Sequence, residues 1–305
     1  MKLKNIFWSL LVALITLSGC DKISNPIFPK QVNSTLPNTT PAFTNSSATS
    51  GSAAYTNYKM LLEVWGGHLC TNCPLGEQDA EKAVSNIGGQ VVFMQDEMGP
   101  EADTITYAGL PDSAFRKVYQ CMADSVWYFH FGSPLSFPMG VVNREGAPNG
   151  MFVNYLDYQD SCSKVIARTS GPPVTIDIHD SCWTNPRIIG AEFQVKFLKP
   201  LSGVSLETLI LEDSIYDWQI DNVKRELYWH RNILRGAFGG SLGTWGIPIT
   251  TTAVDSTFTS YQTYDFTKGE NGKAAGWNMA HCYIVAYVFN TQTNEVIQAE
   301  MIKME

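Results

Sequence analysis

Residues 62–74 read LEVWGGHLCTNCP, and the surroundings of Cys70 and Cys73 decide how the whole chain is understood. Just before them, Tyr58 to Trp65 is a short apolar run closed by Gly66-Gly67, the pattern of a buried strand. After them, Pro74 suits a first helical turn. LGEQDAEKAVSNI then places acidic residues early and Ala80, Ala83, Val84 and Ile87 at helical spacing, with Gly88-Gly89 as a stop. QVVFMQ (90–95) follows as a second strand. The cysteine pair is therefore expected where a strand turns into a helix. At such a junction the unpaired N–H groups and the positive end of the helix dipole stabilise a thiolate and lower its pKa.

Further along, a helix is expected near Ser113 to Met122, followed by the aromatic cluster VWYFHF (126–131). LSFPMGVVNREGAPNGMFVNY (135–155) has two apolar runs around a turn rich in Gly, Pro and Asn, which predicts a hairpin, and YLDYQDSCSKVIART (155–169) reads as a helix. Strand, Cys-X-X-Cys turn, helix, strand and a proline opening a hairpin strand is the order of a thioredoxin fold. If the pair is redox-active, Cys70 attacks, Cys73 resolves, and Pro138, after Phe137, shapes access to the sulfurs. His68 either favours a thiolate when protonated or hydrogen-bonds the loop backbone. Arg144 either holds an anionic ligand near the cysteines or pairs with a carboxylate. Thioredoxins carry Trp before the first cysteine, Gly-Pro within the pair and a buried Asp upstream. Here Leu69, Thr71-Asn72 and Val64 stand in those places, so no acid for a proton relay is evident.

Ser170-Gly171-Pro172-Pro173 is the expected domain boundary. Beyond it VTIDIHD, AEFQVKFL, LETLILED, HCYIVAYVFN and NEVIQAEMIKM alternate like strands, which predicts a β-sandwich. The aromatic segments YDWQ (216–219) and YWHR (228–231) belong either to a binding surface or to the core. The expected architecture is an α/β thioredoxin-like domain over residues 57–170 followed by an all-β sandwich over 171–305.

The amino terminus has the form of an export signal over residues 1–19. Two lysines precede an apolar run too short to span a membrane, and Leu17-Ser18-Gly19-Cys20 has the form of a lipobox. Cys20 is expected to carry acyl chains that hold the protein on a membrane. Residues 20–56 are rich in Ser, Thr, Asn and Pro, without charge between Lys30 and Lys59, and predict a disordered tether. A net charge of -8 argues against nucleic acid or anionic membrane surfaces as partners. Beyond Cys20 and the pair, the economical expectation is one disulfide per domain, Cys121 with Cys162 and Cys182 with Cys282. A lone Cys-X-X-Cys followed by Pro74 supports neither a zinc site nor haem attachment, and no cofactor is expected.

LEVWGGHLCTNCP, FPMGVVNR (137–144) and YWHRNILRGAFGG (228–240), in that order behind a lipobox, resemble blocks of the outer-membrane-protein-28 related lipoproteins of Gram-negative bacteria. The resemblance implies a thioredoxin-like domain followed by an immunoglobulin-like β-domain at the outer membrane, cell-surface exposed, with an adhesion-type role toward a protein ligand. The alternative is a membrane-anchored thiol-disulfide oxidoreductase using Cys70 and Cys73.

Overall fold

The computed structural model describes residues 58–184, 187–239, 243–268 and 276–305, with the side chains of 182–184 excepted. The signal, Cys20 and the tether lie outside the described residues. The chain is mostly β with few helices. Its first part runs β1 (Met60–Gly66), α1 (Cys73–Asn86), β2 (Val91–Glu97), α2 (Met122–Phe131), β3 (Met139–Val142), β4 (Phe152–Asn154) and α3 (Tyr158–Arg168). The second part is β5 (Val174–Thr184), β6 (Arg187–Phe197), β7 (Val204–Glu212), β8 (Ile215–Asp221), β9 (Lys224–His230), β10 (Ile233–Ala237), β11 (Ile247–Pro248), β12 (Thr257–Asp265), β13 (Cys282–Asn290) and β14 (Val296–Lys303).

One sheet runs through both parts in the order β14-β13-β7-β10-β2-β1-β3-β4, with β11 also on β7. The join is made by β10, whose Ile233 lies opposite Gln95 of β2 in parallel register. Gln95 N–H donates to Asn232 O across the same join at 2.9 Å. Strands β12-β6-β5 form a second sheet, and among the described residues β8 and β9 pair only with each other.

The two-residue period of a strand assigns the faces. Met60, Leu62 and Val64 of β1 pack with Phe93 against Ala80 and Ala83 of α1 and Cys162 and Val165 of α3. Farther along the sheet, Leu206 and Ile210 of β7 and Ile284, Ala286 and Val288 of β13 meet Phe193, Val195 and Phe197 of β6. The alternate residues form a third core that crosses from one part to the other. Leu61, Trp65, Met94, Leu209, Leu211, Val285 and Tyr287 pack there with Ala123, Trp127 and Phe131 of α2. The segments on either side of Ser170–Pro173 thus share both a sheet and a core.

The hairpin expected at 135–155 is present as β3 and β4, and HCYIVAYVFN and NEVIQAEMIKM form the antiparallel pair β13–β14. The helix expected over 113–122 lies one element later, in the aromatic cluster itself. Ala123, Trp127 and Phe131 recur every four residues on its buried face, but aromatic residues on the other side hide that period in the sequence. The expected extra disulfides are also corrected. Cys121 caps α2 in one core while Cys162 lies in another, so no bond can join them. Cys282 is a buried thiol whose Sγ lies 3.4 Å from Asn278 O; the side chain of Cys182 lies outside the described residues.

Candidate functional site

Cys73 is the first residue of α1, with Asn72 at the N-cap and Pro74 in the first turn, as the spacing predicts. Cys70 and Cys73 are joined as a disulfide with Cα atoms 5.4 Å apart. Two consecutive tight turns bring them together, Cys70 N–H to Gly67 O at 3.1 Å and Cys73 N–H to Cys70 O at 3.4 Å. A Cβ on Gly66 would sit 2.5 Å from Cys73 Sγ, so the sulfur rests directly on the end of β1. Gly76 makes similar room for Pro138, whose Cγ would lie 2.6 Å from an added Cβ. Pro138, with a cis peptide bond to Phe137, is therefore seated on the first turns of α1, the helix that Cys73 opens.

The pair is covered. Cys70 and Cys73 are 3% and 4% exposed, and the β8–β9 hairpin lies over the loop that carries them. Alternate amides of β8 point away from β9. One of them and the first residue of the turn reach the loop, Ile220 N–H donating to His68 O at 2.9 Å and Asn222 N–H to Thr71 O at 2.8 Å. Gln219 Nε2 donates to Cys70 O at 2.9 Å, and the Tyr228 hydroxyl donates to Glu77 Oε1 at 3.0 Å. At the other end, Asp217 accepts from the Tyr119 hydroxyl and pairs with Lys117 at 2.9 Å. The opposite face of the hairpin leaves Tyr216, Leu227 and Trp229 exposed, with the Tyr216 and Trp229 rings 4.7 Å apart. The segments YDWQ and YWHR are thus two paired strands, buried on one side and open on the other.

The electrostatics follow from burial. Glu77 lies one helical turn beyond Cys73 and on the same face of α1. Burial pushes its carboxyl up to about 8, against the opposing bond from Tyr228. Glu77 stands after the pair, whereas the acid of a thioredoxin stands before it. Its signal was a glutamate four residues after the second cysteine, at the spacing that shares a helix face. Glu97, also buried and raised by its burial, accepts from His68 N–H at 3.2 Å and from Gln95 Nε2 at 3.1 Å. His68 Nε2 donates to Asp103 O at 2.8 Å, which gives this ring the loop-bracing role. His230 is held neutral, lowered to about 4 by burial and then by the nearby His68.

Of its two expected roles, Arg144 takes the pairing with a carboxylate. Left-handed backbone at Asn143 and Arg144 turns the chain inward after β3. The guanidinium then grips Glu63 with Nη2 at 2.6 Å from Oε1 and Nε at 2.9 Å from Oε2. Trp127 lies against it at 4.3 Å, so its donors serve the core and not a ligand beside the cysteines. Among the described residues no group of three or more His, Cys, Asp or Glu is arranged to hold a metal, and no helix is long and apolar enough to cross a membrane.

No family model matches the chain, and no curated protein matches it. Among solved structures, HBP35 of Porphyromonas gingivalis is similar at a TM-score of 0.59 and 14% identity, over 82% of this chain and 76% of its own. A protein of Agrobacterium tumefaciens is matched at a TM-score of 0.45 and 13% identity, over 82% of this chain and 96% of that one. A domain of the outer membrane lipoprotein Omp28 from Porphyromonas gingivalis is matched at 0.30 and 21% identity, over 44% of this chain and 89% of that one. The overall fold is shared with HBP35.

Proposed function

We propose that this chain is a lipoprotein held at the outer membrane by acyl chains on Cys20 and displayed at the cell surface, where it binds a protein ligand. In this reading residues 57–170 are a thioredoxin-like unit used as scaffold and residues 171–305 an immunoglobulin-like unit fused to it. The observation that carries the reading is the cover on the cysteines. A disulfide-exchange enzyme must offer a sulfur to its substrate. Here both cysteines are buried, and a hairpin is bonded to the loop that carries them. The exposed aromatic face of that hairpin is the kind of surface that binding proteins use, since Tyr and Trp give large contact areas at low entropic cost.

Labelling of intact cells with a membrane-impermeant amine reagent tests the display. The expected result is labelling of the folded part, and protection until the outer membrane is opened would overturn surface exposure. The scaffold role is tested by the reduction potential of the pair, expected below about -300 mV as in structural disulfides. Turnover of a disulfide substrate that is lost in Cys70→Ser would replace the scaffold reading.

One observation favours the alternative of a thiol-disulfide oxidoreductase. Glu77, its carboxyl raised to about 8 by burial, shares a face of α1 with Cys73 one turn away, as a proton donor to a thiol would. In that reading Cys70 attacks, Cys73 resolves, and Pro138 shapes the approach.

A further inference from the structure

We propose that the Cys70–Cys73 disulfide is a latch for the β8–β9 hairpin: oxidised, it holds the hairpin closed over the pair, and reduction releases it. This goes beyond both functional readings and requires neither.

The hairpin is paired into neither of the larger sheets. Its backbone is fastened instead to the carbonyls of His68 and Thr71, and its Gln219 side chain to the carbonyl of Cys70. Cys70 and Thr71 lie within the ring that the disulfide closes, and the Cys73 N–H bond to Cys70 O tightens the same ring. The bond between the sulfurs therefore restricts the directions in which those acceptors point. Further fastenings are side-chain contacts, among them Tyr228 on Glu77, Asp217 with Tyr119 and Lys117, His230 against Tyr119, Trp218 beside Phe115, and Arg225 over Tyr107. The two strands leave the body of the protein through left-handed residues, Ser214 before β8 and Asn232 after β9.

The chemistry is ordinary thiol exchange with an external dithiol. One of its thiolates attacks a sulfur of the pair, the Cys70–Cys73 bond breaks, and a mixed disulfide forms. The second thiol of the reductant then displaces the remaining cysteine. Two cysteine thiols result, and the reductant leaves as its disulfide with two electrons and two protons transferred. Because the sulfurs are covered, attack requires the hairpin to lift. Opening then favours reduction and reduction favours opening, by reciprocal linkage.

Amide hydrogen exchange on the full chain, before and after treatment with dithiothreitol, tests the proposal. Exchange at Ile220 and Asn222 is expected to rise at least roughly tenfold on reduction, the loss of one or two hydrogen bonds' worth of protection. Strand β13 should keep its protection. Unchanged hairpin exchange, with reduction verified by alkylation and mass, would overturn the latch. Loss of protection in β13 as well would overturn it too, because the disulfide would then support the whole fold. Gln219→Ala supplies a second arm that leaves both cysteines in place: its disulfide should be reduced several-fold faster than that of the wild type, and an equal rate would count against the cover.

Discussion

Glu63 and Glu77 are both buried carboxyls within one strand–turn–helix unit, and their neighbours give them opposite roles. Glu63 meets a guanidinium in a two-point grip, so a full charge is matched inside the core. Glu77 meets a phenol, which cannot neutralise it, and burial keeps it protonated. The consequence for stability has a definite sign. The folded-state pKa, about 8, lies above the ordinary carboxylate value of 4.5, so the folded protein holds this proton more tightly than the unfolded chain. Stability from this group is complete at pH below the ordinary value and is lost as pH rises through about 8. Urea unfolding of Glu77→Gln and wild type should show the wild type losing up to about 5 kcal/mol relative to the variant between the acid and alkaline ends of that window. Parallel pH profiles would contradict the assignment. Of these side chains, position 77 could be read from spacing. The Arg144 partner could not, because two left-handed residues redirect the chain and leave no hydrophobic period to signal it.

At the scale of elements, β8 and β9 form a hairpin with a two-residue turn at Asn222 and Val223. Asn222 has φ of 54°, a conformation costly for residues with a bulky Cβ and mild for Asn or Gly. Asn222→Val should cost about 1–2 kcal/mol, while Asn222→Gly should stay within roughly 1 kcal/mol of wild type. Because Asn222 N–H also donates to Thr71 O, the Val variant should loosen the cover and speed reduction of the pair by dithiothreitol. The test is the rate of thiol release, with Asn222→Gly as the control for side-chain loss alone. The aromatic character of YDWQ and YWHR was plain in the sequence, but their destination was not. Gln219 meets Cys70 across 149 positions, and no local pattern encodes such a contact.

For the whole molecule, the decisive feature is the core that α2, β1 and β2 share with β7, β10 and β13. Separating the chain at Ser170–Pro173 would strip apolar partners from both sides of Leu209, Leu211, Val285 and Tyr287. Scanning calorimetry of the full chain should therefore give one cooperative transition, with calorimetric and van't Hoff enthalpies in agreement. Two resolved transitions would instead support independent units divided at that junction.

The strands, the helix behind Cys73 and the turn that joins them could be read directly from residues 58–95, because each rests on periodicity and punctuation within a few neighbouring positions. The oxidised pair's cover and the sheet that joins the two parts arise from contacts between distant segments. There the result depends on which faces find each other, through burial of apolar surface and satisfaction of backbone groups, and that comes into being only when the chain is folded.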